Sequence, residues 1–201
     1  MKIELKPDFL VTEESCKEAT GKTISEWIEE VKAQGASLKG RREAISWMQN
    51  SNTAKDVWWA TTIWVEKERR EGTVKKDGLA EGFNICATKM VAATVDKVFA
   101  AFATPGPGAW FDGTIESDHS LTSTQGHTAK ASRVRQDKGL RYVWQTKGID
   151  SPTELHVMFA EKNGKTGITL SHSRIQTREE ADGVRAAWGE ALNKLKAELE
   201  S

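Results

Sequence analysis

The chain is poor in several things at once. Only two cysteines occur in its 201 residues, Cys16 and Cys86. That argues against a disulfide-stapled scaffold and points to a reducing, cytoplasmic setting. No stretch approaches the about 18 consecutive apolar residues of a membrane span. The opening Met-Lys-Ile-Glu-Leu-Lys-Pro-Asp carries no hydrophobic signal core. Net charge is missing too: 29 basic side chains face 29 acidic ones. The balance holds within each part, 12 against 13 in residues 1–72 and 17 against 16 in residues 73–201. This argues against a protein that binds nucleic acid through a globally basic surface. Neither an internal repeat nor a low-complexity tract is present. A single tyrosine stands against eight tryptophans, so the bulky, amphipathic indoles must supply much of the core, pocket wall or interface.

What is present begins with helices. Thr12 is placed to cap a short helix through Ala19, closed by Gly21. Thr23-Ile24-Ser25-Glu26 reads as a capping box opening a helix with Ile24, Trp27, Ile28 and Val31 on one stripe. A third helix is expected over Arg41 to Gln49, with Ile45 and Met48 inward. Thr53-Ala54-Lys55-Asp56 opens a fourth, carrying Val57, Trp58, Thr61, Trp64 and Val65 and ending before Gly72. Residues 1–72 therefore read as a small helical bundle. Residues 73–81 are polar and aperiodic, a linker.

Residues 82–201 change period. Strands are expected over Phe83 to Ala93, Ile115 to Leu121, Thr128 to Gln136, Leu140 to Thr146, Thr153 to Glu161 and Thr166 to Ile175. A short helix, Val95 to Ala103, follows the first, and Thr104-Pro105-Gly106-Pro107-Gly108 breaks it. Asp137-Lys138-Gly139 and Lys162-Asn163-Gly164-Lys165 sit where hairpin turns belong. In the last strand Ile168, Leu170 and His172 point one way. Thr177-Arg178-Glu179-Glu180 then forms a capping box. Val184, Trp188, Ala191, Leu192, Leu195 and Leu199 recur at helical spacing on a helix about 36 Å long. The fold class is α+β: a helical bundle, then a helix-grip domain in which a curved antiparallel sheet wraps one long helix. A curved sheet and a straight helix do not touch along their whole length, so a cavity for an apolar ligand is expected at one end.

Several residue runs carry a family resemblance. They are Thr94-Val95-Asp96-Lys97-Val98-Phe99-Ala100-Ala101-Phe102, Ala109-Trp110-Phe111, Leu140-Arg141-Tyr142-Val143-Trp144, Thr169-Leu170-Ser171-His172 and the Trp188, Leu192, Leu195 helix. Through them, Phe83 to Ser201 resembles the SRPBCC (START/Bet v 1-like) superfamily. The similarity is to the branch of the C-terminal domain of the activator of the heat-shock-protein-90 ATPase. The resemblance implies the helix-grip fold. For function it implies a small-ligand carrier, a co-chaperone acting on a bacterial heat-shock-protein-90 homologue, or a cyclase or hydrolase using the same cavity. The first part resembles a bacterial helical domain of unknown function, through Ala19-Thr20-Gly21-Lys22-Thr23, Ala44-Ile45-Ser46-Trp47 and Trp58-Trp59-Ala60.

The chemistry-bearing residues narrow the choice. Gly21-Lys22-Thr23 ends like a phosphate-binding loop, but Cys16 stands where a glycine is required, so no nucleotide is expected. His119, His127, His156 and His172 lack metal-ligand spacing, and no metal or cofactor is expected. No catalytic constellation is visible. The expected cavity wall is Trp110, Phe111, Tyr142, Trp144, Phe159, His172, Val184 and Trp188. His172 serves there either as a pocket polar group or as a structural hydrogen-bonder. Arg133 and Arg135 would bind a carboxylate if inward; an outward, solvated face is favoured, since arginine is rarely buried without a partner. The leading expectation is a non-enzymatic domain that binds a small apolar or amphipathic ligand, joined to a helical interaction module. A chaperone-like protein partner is the alternative.

Overall fold

The computed structural model describes residues 1–51, 56–76 and 78–201. Among the described residues lie six α-helices and eight strands. Contacts group them into two units: Pro7–Phe83 with Gln176–Arg178, and Met1–Lys6 with Asn84–Ile175 and Glu179–Ser201.

The first unit is helical: α1 (Glu13–Thr20), α2 (Ile24–Ala33), α3 (Arg41–Asn50) and α4 (Val57–Glu71). The punctuation works as its chemistry requires. Thr12 accepts from the Ser15 N–H at 3.1 Å, and Ser15 accepts from the Thr12 N–H at 2.9 Å. Gly21 closes α1 at φ 82°, where a side chain would be strained. Thr23 and Glu26 repeat the reciprocal cap on α2. The core gathers Trp27, Ile28, Met48, Trp59 and Ile63, and the Trp27 indole donates to Thr20 Oγ1 at 2.8 Å. Arg70 ties three helices together: it reaches Glu13 at 2.7 Å and Ser25 at 2.8 Å. The expected opening of the fourth helix at Thr53 lies outside the described residues. Asp56 caps α4 by accepting from the Trp58 N–H at 2.8 Å. The stripe on α4 also differs from expectation. Val57 is exposed, while Trp59, Ala60 and Ile63 are buried. Trp59 stacks on Phe9 at 4.6 Å, so burial extends beyond the expected stripe, in which Thr61 and Val65 are buried.

The second unit is one eight-stranded sheet in the order β1-β8-β7-β6-β5-β4-β3-β2, with α6 (Arg178–Leu199) as its long helix. The strands are β1 (Phe83–Val91), β2 (Gly106–Gly108), β3 (Gly113–Ile115), β4 (Leu121–Ser123), β5 (Thr128–Arg135), β6 (Gly139–Gln145), β7 (Thr153–Lys162) and β8 (Lys165–Ile175). From β2 to β8 each neighbour is antiparallel. The curled sheet and its helix form a helix-grip domain. The β7–β8 hairpin follows from turn chemistry. Asn163 and Gly164 both have positive φ, 54° and 72°, and this matches the right-handed twist of β7 and β8.

Thr104 to Gly108 ends the short helix at Ala103 as expected, and Gly106–Gly108 goes on to form an edge strand. One sequence expectation needs correction here. Ile115 to Leu121, read as one strand, is the end of β3, a turn, and the start of β4. The turn is polar, Glu116 to Ser120, and His119 sits at φ 65°, a conformation no strand residue adopts. A short helix, α5 (Val95–Ala103), falls where expected and buries Val98, Phe99 and Phe102.

On α6 the stripe Ala181, Val184, Ala187, Trp188, Ala191, Leu192 and Leu195 is buried, while Leu199 is half-buried. Residues Met1–Lys6 pack across this helix at Gly183. A Cβ there would lie 2.2 Å from the Glu4 carbonyl oxygen. Glycine inside a helix normally costs about 1 kcal/mol relative to alanine. Here the sign reverses, because alanine would push the crossing backbone away. Gly183→Ala is expected to destabilise the protein by about 1–3 kcal/mol, read as a lower urea midpoint; an unchanged or higher midpoint would show that the crossing segment yields freely.

Candidate functional site

The expected wall residues converge on the inner face of the sheet beneath α6. Alternation along β6 turns Leu140, Tyr142 and Trp144 inward, and along β7 it turns Leu155, Val157 and Phe159 inward. β8 contributes Ile168, Leu170 and His172, and α6 contributes Val184 and Trp188 one turn apart. Trp110 and Phe111 come from a single 3-10 turn after β2. All eight expected residues are buried. Phe111 is seated between two glycines: a Cβ at Gly108 would lie 1.8 Å from its ring, and one at Gly113 would lie 2.4 Å away.

The rings form one continuous layer. Trp188 meets Trp144 at 5.4 Å and Trp110 at 6.3 Å. Trp144 meets the His172 ring at 5.6 Å. Trp110 continues to Phe111 at 4.7 Å and to Phe102 at 4.3 Å, and Phe102 continues to Phe159 at 5.3 Å. Three indoles thus occupy the middle of the space between helix and sheet.

Within this apolar layer the polar atoms are handled one by one. The Trp110 N–H donates to the Ala101 carbonyl at 2.9 Å, and the Trp144 N–H donates to Thr146 Oγ1 at 2.9 Å. The Trp188 N–H donates to His172 Nδ1 at 3.2 Å. An indole N–H only donates, so Nδ1 must be the acceptor and the imidazole proton sits on Nε2. Nε2 lies 2.7 Å from Thr153 Oγ1, and the Thr153 hydroxyl donates onward to the Trp144 carbonyl at 3.4 Å. Complete burial pushes the His172 pKa down to about 3. The ring is neutral with both nitrogens engaged. His172 is a structural hydrogen-bonder, without a free nitrogen to take a substrate proton.

The Tyr142 hydroxyl differs. It is buried, with no hydrogen-bond partner among the described residues, and burial raises its pKa. Neighbouring groups also enter that sequence reasoning did not select. Thr153 was legible, since it precedes Leu155, Val157 and Phe159 in the same alternation. Phe102 was legible as the inner face of α5. His127 was not: it stacks beside Trp144 at 6.1 Å from a loop, and a loop has no period to read.

Other candidate chemistry lies elsewhere. Arg133 and Arg135 are exposed; Arg133 pairs across strands with Arg141 on the outer face. Cys86 is exposed on β1. Among the described residues no three His, Cys, Asp or Glu side chains gather as a metal site, and no helix is long and apolar enough to cross a membrane.

Comparison with known proteins agrees with this architecture. The sequence model described as Activator of Hsp90 ATPase homolog 1-like protein matches residues 92–200. The solution structure of CalU16 from Micromonospora echinospora is similar at a TM-score of 0.53 and 18% identity, over 60% of this chain and 67% of that one. DynU16, from the dynemicin biosynthetic locus, gives 0.51 and 20% identity over 59% of this chain and 47% of its own. At such identities the likeness is one of fold. No curated protein matches the chain by sequence.

The buried imidazole makes stability depend on pH. In the unfolded chain His172 titrates near ~6.5; folded, it stays neutral to about 3. Its contribution is fully present above ~6.5 and is lost as pH falls through that window, because only the unfolded state then binds the proton. Between pH 6.5 and 4.5 the stability of the natural protein should fall more steeply than that of His172→Gln. The difference should approach one proton, at most about 1.4 kcal/mol per pH unit. Equal slopes in urea titrations would contradict the neutral, doubly bonded ring.

Proposed function

Because the chain belongs to the family of Activator of Hsp90 ATPase homolog 1-like proteins, we propose that its helix-grip domain binds a small apolar or amphipathic ligand between the curled sheet and α6. The supporting observation is the Tyr142 hydroxyl. A buried hydroxyl without a partner costs about 1–3 kcal/mol, and native interiors rarely tolerate one without cause. It lies in an aromatic layer whose other selected polar atoms are paired, so it is the group a ligand oxygen or nitrogen would satisfy. The surrounding rings of Trp110, Trp144, Phe159 and Trp188 supply the apolar wall, with Phe111 and Val184 beside them. Binding on this reading exchanges ring–ring contacts for ring–ligand contacts. The neutral, fully bonded His172 orients the wall and takes no part in proton transfer, which favours a binding protein over an enzyme. The helical unit serves as an interaction module, and exposed Leu10 and Val57 give it apolar surface for that role.

A second reading follows from the family membership: the protein acts on the ATPase of a bacterial heat-shock-protein-90 homologue. It requires no interior ligand.

Both readings are testable. Native mass spectrometry of the full chain, purified without refolding, should show a bound small molecule. Tyr142→Phe should weaken that binding by about tenfold, one hydrogen bond's worth, while raising the urea midpoint of the ligand-free protein. No bound molecule, together with a Tyr142→Phe variant that is less stable, would overturn the ligand reading. For the second, steady-state ATPase of the chaperone should rise on adding the chain; an unchanged rate would count against it.

A further inference from the structure

The outer face of the same sheet carries a charge arrangement the interior does not explain. Register places Arg133 opposite Arg141, Arg141 opposite His156, and His156 opposite Ser171. Directly opposed side chains have Cβ atoms about 5 Å apart, and like charges so placed repel. Arg135 and Lys138 stand at the adjoining β5–β6 turn. Together with Gly139, Leu140, Val157 and Met158 these residues line a depression of about 130 Å³. Four fixed positive charges, Arg133, Arg135, Lys138 and Arg141, thus border it, and no acid is among its lining residues. Among the described residues none of the four makes an ion pair with an acid of the chain. Glu154 lies on this face but opposite Val143 and Ser173, off the row. Asp137 in the turn is held by Gln136 at 2.9 Å. Burial and the nearby Arg141 hold His156 below its ordinary pKa, with Glu154 opposing, so it offers a neutral imidazole to the row.

A fold that sets arginines in register without counter-charges lowers its own stability, and an external anion removes the cost. We infer that this depression is an anion site for the phosphate group of a small molecule. Charge selects the chemistry. A carboxylate would neutralise one of the four charges. A phosphate monoester carries about −1.5 to −2 at pH 7, and its oxygens suit the forked donors of two arginines at once. Exposed Met158 at the rim offers an apolar contact to whatever bears the phosphate. The site lies on the opposite face from Tyr142 and does not depend on the interior-ligand reading.

The test uses the full chain at constant ionic strength. Inorganic phosphate and glycerol 3-phosphate are titrated in parallel by calorimetry and by shift of the unfolding midpoint, with acetate and chloride as controls. Saturable binding and a raised midpoint are expected with phosphate or its ester, above either control. Tighter binding of the ester assigns the site to phosphorylated small molecules, and equal binding assigns it to free phosphate. Arg133→Ala/Arg141→Ala should weaken binding by about tenfold or more. Without phosphate that variant should be as stable as the natural protein or more so, since the repulsion is gone. Tyr142→Phe should leave phosphate binding unchanged, which keeps this result separate from the fate of the interior ligand. Phosphate behaving like acetate or chloride, or a double variant that binds phosphate undiminished, would overturn the assignment.

Discussion

An indole nitrogen gives a hydrogen bond and accepts none, and the sheet unit is arranged around that one-way property. Trp188 donates from α6 into His172 of β8; His172 donates into Thr153 of β7; Thr153 donates to the backbone of β6. One directed chain of bonds therefore joins the helix to three adjacent strands through the middle of an apolar layer. Each member has a single allowed role. Reversing any bond would strand a donor against a donor among buried side chains, where an unmet polar group is most costly. The packing of Trp144 and Trp110 against Trp188 depends on the helix being held at this rotation. So does the burial of Val184 one turn earlier.

Much of this was legible in the sequence wherever an element was long enough to show its period. The strand Lys165–Ile175 and the helix that follows it carry enough residues to separate a repeat of two from one of 3.6, and both lie where that pattern placed them. The strands β2, β3 and β4 have three residues each, too few to display any alternation. The turn between β3 and β4 rests on His119 at positive φ and on its ring bonded to the distant Ala103 carbonyl at 2.7 Å, neither of which shows as a period. The pattern fell short in two places. On α4, Trp59 stacks on Phe9, a contact no local pattern contains. On β5, the register shifts between Ala131 and Arg133, so simple alternation fails past that point.

The same distinction governs the site. The burial of the eight expected residues was readable because each sits in a periodic element or beside one, and burial follows period. What periodicity does not carry is pairing. Nothing local tells that Trp188 meets His172, that Thr153 completes the bond, or that Tyr142 is left without one. Nor does it show that Arg133 and Arg141 stand opposite each other, since that depends on hairpin register, which the turn sets. Strand β6 illustrates both halves: its even positions build an apolar interior, and Arg141 between them contributes to a cationic exterior.

The sheet is also uneven along its width. β7 and β8 are joined by nine consecutive register pairs, whereas β2, β3 and β4 are joined by three at each step. Amide hydrogens should therefore exchange last in the β7–β8 hairpin and first across β2–β4, since local opening costs least where the ladder is shortest. Trp110 and Phe111 sit between β2 and β3. The aromatic layer is thus closed off by the part of the sheet that opens most readily. Any molecule entering or leaving that layer would take the side where the fewest backbone bonds have to part.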